Sequence, residues 1–159
     1  MKPLTLYLLL ILCAKISVAQ SYSENDSLYL KALEKYSNEV DSFYIKYSEN
    51  KEQLAILYID QTNLIKGIPG NIGGREVVII NNENLKEIYK KNNWKLIQTK
   101  IFPIEVKNGQ IEITIIPYHG EMDKKGNLNL ALIDWTNVFF EYDCEKKKWI
   151  YYKTENGGI

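Results

Sequence analysis

Cysteine, histidine and arginine are all scarce in this sequence. Of 159 residues, two are Cys and one is His, and Arg75 is the single arginine among 20 basic side chains. So few Cys excludes a disulfide-stapled miniprotein, and one His excludes a His-rich metal centre. The lack of Arg argues against a nucleic-acid partner, because guanidinium is the favoured group for bidentate contacts to guanine edges and phosphates. Neither sign of charge dominates, with 20 basic against 20 acidic residues. Four prolines and nine glycines are too few for a collagen-like or low-complexity chain.

What is present is the balance of an ordinary folded domain: 45% hydrophobic and 25% charged. A chain of this size supports one core. Its most specific signal is N-terminal, where Lys2 precedes the apolar run Leu4 to Ala14, followed by Ser17-Val18-Ala19. This reads as a signal peptide over residues 1–19, cleaved after Ala19, with one α+β domain over 20–159. Lys15 interrupts the run too early for a spanning helix, which needs about 20 apolar residues. Leu12 before Cys13 is too large for a lipoprotein signal. The expected location is therefore the periplasm or the cell exterior, without a membrane span. Losing Lys2 and Lys15 leaves 18 basic against 20 acidic residues, a mildly acidic mature protein. Lys, Asn and Ile in place of Arg suit an AT-rich bacterial genome.

Cys144 is then the only cysteine left, in a chain expected to meet an oxidising compartment. It is read as a buried, inert side chain rather than as a link between chains.

The apolar positions Tyr29, Ala32, Leu33, Tyr36, Val40, Phe43, Tyr44 and Tyr47 predict a helix over Glu24–Tyr47, with Ser23 and Asp26 as a capping box. Leu54, Leu57, Tyr58 and Gln61 suggest a second helix ending near Asn63, paired with the first as a hairpin. Gly67 to Gly74 reads as a wide connection between short strands at 64–68 and 76–80. A phosphate-cradling loop would lead into a helix, whereas the β-branched run Val77-Val78-Ile79-Ile80 follows here. No cofactor motif appears elsewhere. Asn81 or Asn82 should cap a third helix carrying Leu85, Ile88 and Tyr89 and ending at Asn92-Asn93.

Strands follow. Trp94 to Val106 reads as one strand bent near Pro103, and Asn108-Gly109 as a hairpin turn. Ile111, Ile113 and Ile115 alternate with polar residues, placing one face inward. A loop from His119 to Asn127 leads to Leu128, Leu130 and Leu132, then to Trp135, Val138, Phe140 and Tyr142. The change of phase there predicts a bulge near Trp135 to Asn137. The last strand spans Lys148 to Lys153, after an exposed turn at 143–147.

Helix, helix, two short strands, helix and four longer strands define an α+β fold, with N-terminal helices packed on one face of a curved, mainly antiparallel sheet. In element order this resembles the nuclear-transport-factor-two-like, cystatin-like α+β cone. The resemblance implies a cavity between helices and sheet, used in different members for ligands, catalysis or dimer formation.

The chain carries no recognisable catalytic set. His119-Gly120-Glu121-Met122-Asp123 brings one imidazole near two carboxylates, enough for acid-base work but not for a defined metal loop. Eleven of the twelve tyrosines and all three tryptophans lie beyond the leader. Tyr118, His119 and Trp135 are the candidate ligand-binding residues, as aromatics or imidazole near loops and bends. The expected function is an exported binding module that binds or inhibits another protein. Alternatives are a small-molecule binder or acid-base enzyme with a cavity near His119, and a structural homodimer.

Overall fold

The computed structural model describes residues 22–47, 55–132 and 134–158. The expected leader lies outside these residues, as does Leu54 of the expected second helix. The described chain runs α1 (Glu24–Tyr47), β1 (Ile56–Asp60), β2 (Asn71–Ile72), β3 (Arg75–Ile80), α2 (Leu85–Lys91), β4 (Lys95–Ile101), β5 (Glu105–Lys107), β6 (Gln110–Met122), β7 (Leu128–Leu132), β8 (Asp134–Asp143) and β9 (Lys148–Gly158). This is an α+β fold with a mixed, mainly antiparallel sheet ordered β2-β3-β1-β4-β6-β8-β9, with β5 and β7 also paired to β6. Its element order is compatible with a cone-like arrangement. No described helix is long and apolar enough to cross a membrane.

The capping box at the start of α1 forms as expected. The Asp26 N–H donates to Ser23 Oγ at 3.1 Å, and the Ser23 N–H donates back to Asp26 Oδ2 at 3.2 Å. Asp26 also accepts the Lys66 N–H at 3.0 Å, which ties the 61–70 connection to the helix. Leu28, Tyr29, Ala32, Leu33 and Tyr36 are buried in the spacing read from the sequence. The remaining expected positions, Val40 to Tyr47, lie outside the described side chains.

The second helix is corrected to a strand. Ile56 to Asp60 form β1, parallel to both β3 and β4. A strand with neighbours on both edges and cover on both faces reads as a continuous apolar run, and over five residues such a run is ambiguous between helix and strand. Among the described residues, no second helix therefore pairs with α1 before β1. Residues 64–68 form no strand either; Ile65 is buried and Leu64 and Ile68 pack around it from a loop. Gly73 and Gly74, both with positive φ, form the turn of a tight β2-β3 hairpin, while Gly67 and Gly70 stay in the connection before it. A Cβ on Gly73 would stand 2.7 Å from Ser37 Oγ, so the hairpin meets α1 at backbone distance.

The expected packing of the helices on one face is also corrected. Leu57, Ile59, Val77 and Ile79 belong to one cluster with α1, whereas Ile56, Tyr58, Val78 and Ile80 belong to another with α2. Successive residues of a strand point to opposite faces, so the two helices lie on opposite sides of the sheet. The parallel order explains this: α2 is the crossover between β3 and β4, and it passes over β1 on the side that α1 leaves open.

Asn81 Oδ1 accepts the Glu83 and Asn84 N–H groups at 2.9 and 3.0 Å, closing the turn before α2. The bend at Pro103 separates β4 from β5. Asn108 and Gly109 have φ values of 54° and 78°, as a two-residue hairpin requires. Ile113 and Ile115 are fully buried.

The expected loop over 119–127 is shorter. β6 continues to Met122, because Leu128 to Leu132 fold back and pair with 118–122. β6 therefore has two partners end to end, β7 and β8, and the pairing register slips by one residue between them. That slip accounts for the change of phase in the sequence. Pro117, which has no N–H to donate, sits in β6 where the partner changes, the sort of irregularity at which a strand tolerates proline. A bulge occurs further along and on β9, where Tyr152 is skipped between the pairs Phe139 with Lys153 and Phe140 with Tyr151. β9 reaches Gly158, five residues beyond the expected end. Cys144 is exposed in the 143–147 turn rather than buried.

Candidate functional site

Tyr118 and His119 are consecutive in β6 and so face opposite sides of the sheet. His119 is exposed in a strand, not in a loop, and its Nε2 lies 3.4 Å from Glu121 Oε1. That carboxylate is engaged more closely by Lys95, at 2.6 Å. Lys95 first and His119 second hold the Glu121 carboxyl below its ordinary range. Asp123 turns away, accepting the Asn127 N–H at 2.9 Å. Among the described residues, no three His, Cys, Asp or Glu side chains are grouped to hold a metal.

Trp135 lies across from Gly157 of β9, where a Cβ would stand 2.2 Å from the indole Cζ2. The glycine is what lets the ring lie flat on the neighbouring strand. Trp135 shares its face with Phe139, over which Lys153 Nζ sits at 4.9 Å from the ring centre. Ile150, opposite Glu141, and Ile116, opposite Lys100, lie on this face too. These four apolar residues are only half-buried, and none joins either buried cluster of the described residues. Polar pairs run between them: Thr114 to Asn137 at 2.9 Å, Gln110 to Glu141 at 2.6 Å and Lys107 to Glu112 at 3.1 Å. Apolar and polar side chains therefore alternate across this face, with Trp135 near one end of β8 and Phe139 beyond the Thr114–Asn137 pair.

Tyr118 stands at the border between this face and a second feature. Lys100 Nζ lies 5.4 Å from the Tyr118 ring centre and 3.6 Å from Asp60 Oδ2. Asp60 accepts from Gln98 Nε2, and Gln98 Oε1 accepts the Tyr89 hydroxyl at 2.7 Å. Gln98 and Tyr89 are buried, and Tyr89 presses so close to Gly120 that a Cβ there would stand 1.9 Å from its hydroxyl. Burial first, and the Asp60 charge second, raise the Tyr89 hydroxyl above its ordinary pKa, so it stays protonated and donates. Gln98, Asp60 and Lys100 line an open crevice of about 430 Å³, with Tyr89 behind them holding Gln98. Ile80, Leu85, Leu128 and Leu130 make an apolar wall, and Gln61, Asn63 and Asn82 stand at the rim. The crevice opens at the carboxyl ends of the parallel strands β1 and β3, where open parallel sheets place their ligands.

Of the three residues singled out from the sequence, Tyr118 and Trp135 share a sheet face, Tyr118 also borders the crevice, and His119 is on the other side. Sequence reasoning missed Asp60, Gln98 and Lys100 because it placed Asp60 in a helix and left β4 unpaired with β1. Only that parallel pairing, Tyr58 with Gln98 and Ile59 with Thr99, brings them side by side.

The fold and these two surfaces define an α+β protein with a polar crevice and a face over β6, β8 and β9 on which the described residues leave apolar side chains half-buried. No protein-family model and no curated protein matches the chain.

Proposed function

We propose that this chain is an exported binding module that holds another protein of the envelope or exterior through the face of β6, β8 and β9. The supporting observation is the half-buried set Ile116, Trp135, Phe139 and Ile150, which lies outside both buried clusters of the described residues. Trp is a residue type that often dominates binding energy, and the Lys and Glu residues beside Phe139 would set orientation rather than affinity. The leader over residues 1–19 delivers the chain to the periplasm or beyond. The cone-like family reading accompanies this, with α1 set against the antiparallel strands β4, β6, β8 and β9 and the opposite face left for the partner.

Affinity capture with the tagged protein from envelope and culture fractions, run in parallel with Phe139→Asp, tests this. The wild type should retain a partner that the variant loses, while circular dichroism shows both folded. Equal retention by both, or no retained protein, overturns the reading. Sedimentation decides the homodimer: a dimer broken by Phe139→Asp would replace the foreign partner with a second copy of the chain.

A further inference from the structure

We infer that the crevice at the ends of β1 and β3 is a binding site for a neutral carbohydrate. Its charge excludes the common alternatives. Among the described lining residues, Asp60 and Lys100 are the charged ones, and they neutralise each other at 3.6 Å. A site without net charge has little to hold a phosphate or an isolated cation.

What it offers is of two kinds. The wall of Ile80, Leu85, Leu128 and Leu130 is apolar and suits the C–H face of a pyranose ring. The rim supplies the amides of Gln61, Asn63 and Asn82, whose side chains make no hydrogen bond among the described residues. Each amide is both donor and acceptor, as is each sugar hydroxyl, so adjacent hydroxyls can be matched without any ionised group on the ligand. Asp60 keeps acceptor capacity beyond its bond from Gln98, and Lys100 keeps donors beyond its contact to Asp60.

The floor is rigid. Gln98 is buried and is fixed at both ends, by the Tyr89 hydroxyl and by Asp60. Asp60 therefore does not have to be ordered when a ligand arrives, which removes part of the cost of binding. The volume, about 430 Å³, lies within the range of small-molecule sites, and the open mouth leaves room for a chain to continue.

Titration calorimetry and amide chemical-shift mapping with D-glucose, D-galactose, N-acetyl-D-glucosamine, maltose and cellobiose test the site, with inorganic phosphate as the charged comparison. At least one saccharide should saturate, perturb amides at 60–63, 81–85 and 98–100, and bind equally at low and high salt. Asp60→Asn and Asn82→Ala should each weaken it about tenfold, the loss of one hydrogen bond to a charged or well-placed amide group. Asn82 is exposed, so its variant folds whatever becomes of Asp60→Asn. No response to any of these sugars, a response to phosphate at the same amides, or unchanged affinity in Asn82→Ala overturns the inference. Phe139→Asp should leave sugar binding intact, separating this site from the protein-binding face.

Discussion

The two sides of the sheet are built differently. On the α1 side, 14 buried apolar and aromatic residues form one cluster, with Ser37, Thr99 and Thr136 buried beside it. On the α2 side the buried cluster has five members, and beside it runs the polar chain from Tyr89 through Gln98 to Asp60. The larger buried cluster lies on the first side, while the half-covered second side keeps polar groups in reach of water in the crevice. Both candidate surfaces, the crevice and the patch around Trp135, lie on the side that α1 does not cover.

The largest test of that contrast uses two adjacent residues. Phe140 is 1% exposed and faces α1, whereas Phe139 is half-buried and faces away. Phe140→Ala should cost about 3–5 kcal/mol in urea unfolding, as other buried Phe truncations do. Phe139→Ala should cost about 1 kcal/mol or less. Equal losses would mean that the outer face is as much a core as the inner one.

A smaller effect is expected within the α2 side. Gly120→Ala would drive a methyl group into the Tyr89 hydroxyl and should destabilise by about 1–3 kcal/mol through overpacking. Tyr89→Phe should cost about the same, by leaving Gln98 Oε1 buried without its donor. If Tyr89→Phe were neutral, the polar floor would not be a fixed structure and the crevice would lose its preorganisation.

The smallest effect concerns the start of α1. Ser23→Ala should cost about 1 kcal/mol, the usual value for a lost helix cap. Hydrogen bonds from Ser23 first and the Lys66 N–H second lower the Asp26 pKa. Its contribution is therefore present above the ordinary carboxylate pKa and is lost as pH falls through the lower folded value. Asp26→Asn should flatten the acid side of the stability profile, and a profile unchanged from wild type would show that the cap carries no pH-dependent stability.

Much of the α1 side was legible in the sequence. Its helix, the capping box, the Asn108-Gly109 turn and the alternation of Ile111, Ile113 and Ile115 all depend on contacts between near neighbours. The change of phase was visible in the sequence, but the bulge expected near Trp135 to Asn137 falls where β8 pairs without interruption; the slip lies between β7 and β8 and the bulge on β9. The α2 side was not legible, because Ile56 to Asp60 is a short apolar run whose identity depends on distant neighbours. The candidate site failed for the same reason: Tyr118 and Trp135 were found as aromatics near irregularities, while Asp60, Gln98 and Lys100 had no local signature.

By itself the sequence determined the α+β class, the first helix with its cap, and the hairpin at Asn108-Gly109, since residue preferences and short-range periodicity act within a few residues. Tertiary structure alone decided that residues 56–60 are a strand, that the helices take opposite faces, and that Asp60 meets Gln98 and Lys100. Those outcomes come from parallel pairing between segments roughly 20 and 40 residues apart, whose closure entropy is offset only when the whole sheet assembles.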